Sequence, residues 1–309
     1  MNTPLPIRAG TRGSPLALVQ TRTFLRLLAG APGQEVIINT TGDAVQDRPL
    51  ADIGGKGLFA KEIHEALLDR RIDCAVHSLK DLETELPAGI VIGCVLVRED
   101  ARDVLILGDT CDAPNPADPF SALPHAALVG TSSVRRQAQL LHARPDLRIV
   151  SIRGNVQTRL RKLRDGECQA TLLALAGLRR LDIEVPGAIV LHPSIMLPAA
   201  AQGIVGVTVR ADDTATRTLL AMIEDPAART VATAERSMLA ALDGSCRTPI
   251  GAHARLMADG TLTLDGLVAR TDGSFLLRRS LTGPSTDAGR IGQDLGASLR
   301  ADSPADLFA

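Results

Sequence analysis

The sequence predicts a mixed α/β protein in which two units with largely parallel sheets precede a smaller antiparallel one. Three observations carry this. Short apolar runs alternate with amphipathic stretches from residue 5 to about residue 175, the pattern of strand–helix–strand units whose sheets are covered on both faces. The alternation is interrupted once, by "GDTCDAPNPADPF" at 108–120, a loop or linker by its Pro, Asp and Gly content. Beyond about residue 225 come one long helical stretch and three strand-like runs separated by "ADG" and "TDG", turns of an antiparallel meander.

In order, "LPIRAG" reads as a strand. The helix after it, "GSPLALVQTRTFLRLLAG", has Ser14 to cap it, Pro15 in its first turn and Gly30 to close it. "EVIINT" is a strand, "KGLFAKEIHEALLDRRI" an amphipathic helix and "DCAVHSL" a strand. After the linker the plan resumes: strand "AALVG", helix "SSVRRQAQLLHAR", strand "LRIVSI", helix "NVQTRLRKLRDG", strand "ATLLAL". "AIVLHP" and "GIVGVTVR" read as strands returning to the first sheet. The last part is a helix, "PAARTVATAERSMLAALDG", three strands, "GAHARLM", "TLTLDGLVART" and "SFLLRRSLTG", and a final helix, "TDAGRIGQDLGASLRA".

Composition excludes several functions. A net charge of -1 over 309 residues provides no global field for nucleic acid or anionic lipid. With no Trp, no Tyr and five Phe, aromatic stacking cannot be the main grip on a flat ligand. No run approaches the length of a membrane span, and "MNTPLPIRAG" has no basic segment leading into an apolar core. The five cysteines, Cys74, Cys94, Cys111, Cys168 and Cys246, are scattered without a CxxC pair. No metal site or disulfide framework is expected, and a reducing cytoplasm is.

The strongest anomaly is arginine density: ten arginines against three acids between residues 131 and 180. Ligands of such sheets bind beyond the strands' carboxyl ends, where helix N-termini add N–H donors. Arginine's planar fork suits carboxylate or phosphate. A ligand with several anionic groups is expected, with Arg153 and Arg159, beside Gly154 and Asn155, facing it. Arg144, Arg148, Arg161 and Arg164 read as solvated surface arginines. "VHSLKDLE" puts Lys80 and Asp81 just after a strand. That carboxylate suits either a turn cap or the stabilisation of a developing positive charge. His77 reads as a satisfied core histidine. "DIGGKGLF" lacks the order of a phosphate-binding P-loop, so a lid is the better reading of its glycines. Arg12 and Ser14 sit at the first strand–helix junction. Cys246, in "LDGSCRTPIGAH", follows a helix end and precedes Arg247. Taken alone it is as readily an ordinary loop thiol as a reactive one.

Together, "GTRGSPLALVQ", "TTGD", "GGKGLFAKEI", "DCAVHSLKD", "VREDARDVLI", "GTSSVRRQAQL", "SIRGNVQTRL", "LALAGLRRL", "AQGIVGV" and "GSCRTPIGA" resemble the porphobilinogen deaminase (hydroxymethylbilane synthase) family, in family order over nearly the whole chain. The resemblance implies three domains. Residues 1–100 plus 200–221 and residues 101–199 would form a type II periplasmic-binding-protein-like clamshell with mixed, largely parallel sheets. Residues 222–309 would form a small α+β domain with a three-stranded antiparallel sheet. It implies a dipyrromethane cofactor held by a thioether to Cys246. It implies a transferase reaction of tetrapyrrole (haem) biosynthesis that joins four porphobilinogen molecules head to tail with loss of ammonia and releases hydroxymethylbilane by hydrolysis. Asp81 matches the catalytic aspartate and also contacts the cofactor. Lys80, Thr131, Ser133, Arg135 and Arg136 would hold the cofactor. Arg12, Ser14 and Arg180 would meet the substrate, and Arg153 and Arg159 both. Lys56 and Phe59 fall in or beside the loop at 43–57. The family further implies a cytoplasmic monomer, free of nucleic acid and membrane. Glu83, Asp52 and Ala201 depart from common family residues. The competing reading is an anion-binding clamshell module without chemistry, which needs neither Cys246 nor Asp81. A nucleic-acid binder built on the arginine-rich segment is disfavoured by the near-neutral charge.

Overall fold

The computed structural model describes residues 6–28, 32–44, 60–112, 115, 118–243 and 248–308. In chain order the strands are β1 (Ile7–Thr11), β2 (Gly33–Ile37), β3 (Cys74–Ser78), β4 (Ile90–Val95), β5 (Asp103–Leu107), β6 (Leu128–Gly130), β7 (Arg148–Val150), β8 (Ala170–Ala174), β9 (Ile189–Val190), β10 (Val205–Arg210), β11 (Ile250–Leu256), β12 (Thr261–Ala269) and β13 (Leu276–Pro284). The helices are α1 (Pro15–Leu27), α2 (Thr41–Ala44), α3 (Lys61–Leu68), α4 (Val134–Ala143), α5 (Val156–Arg164), α6 (Leu175–Arg180), α7 (Thr214–Ala221), α8 (Pro226–Ala241) and α9 (Ala288–Ala301). Two compact units result, Met1–Glu99 with Gly203–Arg229, and Asp100–Gln202 with Thr230–Ala309.

The first unit holds a five-stranded sheet in the order β2-β1-β3-β10-β4. β1 runs parallel to β2 and β3, while β10 runs antiparallel to β3 and β4. β3 alternates between two apolar layers. Cys74 and Val76 join Phe24, Val207 and Leu220, and Ala75 joins Ile63, Leu67 and Ile72. Covered on both faces, β10 is buried along its whole length, so its sequence is nearly continuous apolar rather than alternating. Gly203, with φ +90°, precedes it, and a Cβ there would collide with the Glu99 carbonyl oxygen. Gly203→Ala is expected to destabilise the protein by about 2 kcal/mol or more. An unchanged urea midpoint would contradict this.

The second unit repeats the plan in its sheet, β7-β6-β8-β5-β9. β6 runs parallel to β7 and β8, and β5 antiparallel to β8 and β9. Each sheet is thus mixed but largely parallel, with a single antiparallel strand next to its edge. Val104 and Ile106 pack with Ile152 and Leu173 on one face, Leu105 with Val129 and Leu172 on the other. The same unit carries the three-stranded antiparallel sheet β11-β12-β13. The predicted turns close it, with Gly260 and Gly273 at positive φ. Leu295 and Leu299 of α9 and Met238 of α8 press on Gly266 of β12. The fully buried Glu235 of α8 accepts the Ala201 N–H at 2.5 Å and the Ala254 N–H at 2.6 Å. It thereby fastens α8 to β11 and to the segment leading out of the unit.

Two expectations need correction. β10 returns to the first sheet, but β9 pairs with β5 in the second. Arg144 is no solvated side chain. It donates to the carbonyls of Phe120, Leu123 and Pro124 and grips Asp146 at 2.7 Å, so it pins the end of α4 to the preceding loop. Arg148, Arg161 and Arg164 are exposed, as expected.

Candidate functional site

In the first unit a cavity opens at the carboxyl ends of the adjacent parallel strands β1 and β3. Arg12, Ser14, Ala17, Gln20, His77, Ser78 and Asp81 are among its lining residues. Local structure places each. Ser14 caps α1, its hydroxyl accepting the Ala17 N–H at 3.3 Å, and so points the helix N-terminus and its partial positive charge toward the cavity. Gln20, one turn further along α1, donates to Ser78 Oγ at 2.9 Å. β3 ends in a 3-10 turn, Leu79–Asp81, that turns Asp81 outward. Asp81 is exposed and lines the cavity. It makes no hydrogen bond or ion pair with any described residue. Lys80 shares the turn and is half-buried, but it is not among the residues lining the cavity. The described lining therefore offers a guanidinium, a carboxylate, an imidazole, hydroxyls and an amide: donors for an acid side chain and an acceptor for an N–H or a cation.

In the second unit the carboxyl ends of β6, β7 and β8 form a polar rim. Thr131 is buried directly after β6, and its Oγ1 accepts the Ser133 N–H at 3.1 Å. Ser133 in turn caps α4. Beyond β7 the chain passes through Arg153 and Gly154, whose φ of +114° favours glycine. Asn155 then caps α5 by accepting the Thr158 N–H at 2.9 Å. Arg159, on the first turn of α5, donates from Nε to the Gly154 carbonyl at 3.0 Å. Arg153 and Arg159 are half-buried at this rim, and Arg180 is half-buried at the end of α6. Two helix N-termini and these arginines give the rim a chemistry suited to anions.

Beneath the rim lies a cluster that the residues alone did not announce. Asp103, 0% exposed, opens β5. Arg135 Nη1 lies 2.7 Å from one of its oxygens and Arg136 Nη2 donates to the other at 2.7 Å. Gln202 Nε2 adds a third donor at 2.9 Å. The arginines also donate to the carbonyls of Leu197 and Leu172. Burial raises the Asp103 pKa, but the two guanidiniums outweigh it and hold the carboxyl well below the usual carboxylate range. Burial lowers the pKa of Arg135, the facing carboxylate opposing it. Arg135 and Arg136, 5% and 4% exposed, are thus heavily engaged within the protein.

Asp81, Arg12 and Ser14 meet in the first cavity, and Thr131, Ser133, Arg153 and Arg159 share the second rim. Cys246, Lys56, Phe59, Asp52 and the glycines of "DIGGKGLF" lie outside the described residues. The four other cysteines are free. Burial pushes up the thiols of Cys74 and Cys94, the latter to about 12, so these two are inert. Sequence reasoning missed Gln20 and Ser78. The period of α1 places Gln20 on the buried face, a signal that could have found it. His77 is buried, as expected, but it also lines the cavity. Among the described residues no group of three or more His, Cys, Asp or Glu side chains could hold a metal.

A carboxylate without a partner among the described residues, in a cavity that a guanidinium also lines, and a separate arginine-bearing rim are together the chemistry of a protein suited to ligands with several anionic groups. Residues 7–218 match the family described as porphobilinogen deaminase, dipyromethane cofactor binding domain, and residues 229–301 match porphobilinogen deaminase, C-terminal domain. A porphobilinogen deaminase of Paracoccus denitrificans is 50% identical over 309 residues, covering 98% of this chain and 96% of that one. The chloroplastic porphobilinogen deaminase of Oryza sativa subsp. japonica is 46% identical, over 98% and 85% of the two chains. Among solved structures, an ancestral cationic amino acid solute binding protein gives a TM-score of 0.43 at 12% identity, over 70% of this chain and 86% of that one. The chain belongs to the porphobilinogen deaminase family.

Proposed function

We propose that this chain is the transferase of its family. It joins four porphobilinogen molecules head to tail with loss of ammonia, on a dipyrromethane held through Cys246, and releases hydroxymethylbilane. The observation that carries the reading is Asp81, a carboxylate in the β1–β3 cavity beside Arg12 with no described protein partner. The donor set suits the group. A dipyrromethane brings pyrrole N–H groups, which need an acceptor such as Asp81, and acid side chains, which need the arginines of cavity and rim. When bound, it supplies the primer to which the first ring is joined.

Loss of ammonia from the aminomethyl group of porphobilinogen leaves an electron-poor ring stabilised as its N-protonated cation. Asp81 is assigned to hold the pyrrole N–H, stabilise that cation and assist proton movement. Arg12 and Ser14 are assigned to an acid side chain of the incoming ring. Arg153, Arg159 and Arg180 neutralise those of the growing product, with Thr131, Ser133 and Lys80 holding the primer. Arg135 and Arg136 shape the floor of the rim and add positive potential to it. The reading keeps the three domains at 1–100 with 200–221, 101–199 and 222–309, supported by three separate sheets. It also takes the protein as a cytoplasmic monomer without nucleic acid. Among the described residues no helix is long and apolar enough to cross a membrane.

The test is the intact mass of the purified protein. A dipyrromethane adduct is expected, absent in Cys246→Ser, and the mass should rise in porphobilinogen-sized steps when substrate is added. A fully active protein without the adduct would refute the tether. A protein that binds dicarboxylates, carries no adduct and turns nothing over would instead be the non-catalytic module.

A further inference from the structure

His77 has a partner on one side of its ring only. Its Nε2 lies 2.9 Å from Thr208 Oγ1, on the fully buried strand β10. That hydroxyl has no other hydrogen-bond partner among the described residues. A buried hydroxyl donates its proton where an acceptor exists, so the Thr208 O–H points at Nε2. Nε2 then carries the lone pair, and the proton of a neutral ring sits on Nδ1. His77 is 9% exposed and lines the cavity with Arg12, Ser14 and Asp81. Its Nδ1 has no hydrogen-bond partner among the described residues, so in a ring that lines the cavity Nδ1 is the nitrogen left for a ligand. From α3, His64 packs against it with ring centroids 6.1 Å apart. Burial, then the His64 and Arg12 charges, bring the His77 pKa down to about 3, which agrees with a neutral ring.

We infer that His77 is a substrate-binding residue: a neutral imidazole, fixed in one tautomer by Thr208, that presents Nδ1–H to an acid side chain of the pyrrole held in the β1–β3 cavity. The inference rests on the function proposed above. A neutral donor suits this place. It adds a hydrogen bond to the carboxylate without adding a cation beside the positive charge that Asp81 has to stabilise.

Two substitutions separate this role from packing. In His77→Asn the side-chain amide takes the place of Nδ1. In His77→Gln it takes the place of Nε2, keeping the Thr208 contact and losing the donor. His77→Gln is expected to raise KM for porphobilinogen about tenfold or more, and His77→Asn, which restores a donor at the Nδ1 position, to recover most of that loss. With a ring analogue whose acid is replaced by methyl, the parent and both variants should bind alike. Equal KM values in the two variants, or a Gln effect that persists on the analogue, overturn the inference. Imidazole nitrogen NMR of the unsubstituted holoprotein is a second, independent check. A neutral Nδ1–H ring from pH 5 to 8 is expected, and an Nε2–H ring or an imidazolium overturns it. A protein that fails to turn over porphobilinogen refutes the underlying function rather than this donor, which the spectrum then decides.

Discussion

Asp81→Asn is expected to lower kcat by about 10²–10⁴-fold with little change in unfolding midpoint and with the cofactor adduct still present by mass. The structural half follows from Asp81 being exposed in a 3-10 turn and holding no described residue. Removing its charge breaks nothing in the fold. The functional half follows from chemistry. Asparagine keeps the shape and one acceptor oxygen but offers no negative charge to a cationic ring and no site for a proton in transit. Activity within about threefold of the parent would remove Asp81 from the mechanism. Loss of activity with a fallen midpoint would point to a turn-capping role instead.

Asp103→Asn is expected to cost about 3–5 kcal/mol of stability, read as a lower urea midpoint at unchanged slope. The amide would leave two nearly buried guanidiniums facing each other without a counter-charge, and would turn an N–H donor toward one of them. The pH dependence has a definite sign. The Asp103 pKa is lower folded than unfolded, so its contribution is complete above the unfolded carboxylate value of about 4. It is lost as pH falls below that value toward the folded one. The parent should therefore lose stability below about pH 4 more steeply than the variant. A variant within about 0.5 kcal/mol of the parent would show that Arg135 and Arg136 find their partners elsewhere.

Much of this was legible in the residues. The alternation of strands and helices, Ser14 as the cap of α1, the meander and its Asp-Gly turns, and the polar rim after β6 and β7 all depend on local chemistry. β4 and β5 escaped because "GIVIGCVLV" and "RDVLIL" are strands without an intervening helix to frame them. α6 and α7 are only 6 and 8 residues long, too short for a clear period. The two-residue β9 was placed in the wrong sheet because strand partners are set by distant residues. The same holds for polar pairings. Arg135 and Arg136 look like ligand groups until Asp103, 32 residues upstream of the first, is brought beneath them. His77 looks like core until Thr208 shows which of its edges remains available.

The interleaved course of the chain has a consequence for biogenesis. β10 lies between β3 and β4, so the N-terminal hundred residues leave the ribosome without the strand that joins β4 to their sheet. All five strands of the second sheet fall between residues 103 and 190 and are made before it. The sheet begun first is therefore completed later than the sheet begun second, the reverse of the usual vectorial order. Until residue 210 emerges, the edges of β3 and β4 that β10 covers stay unpaired.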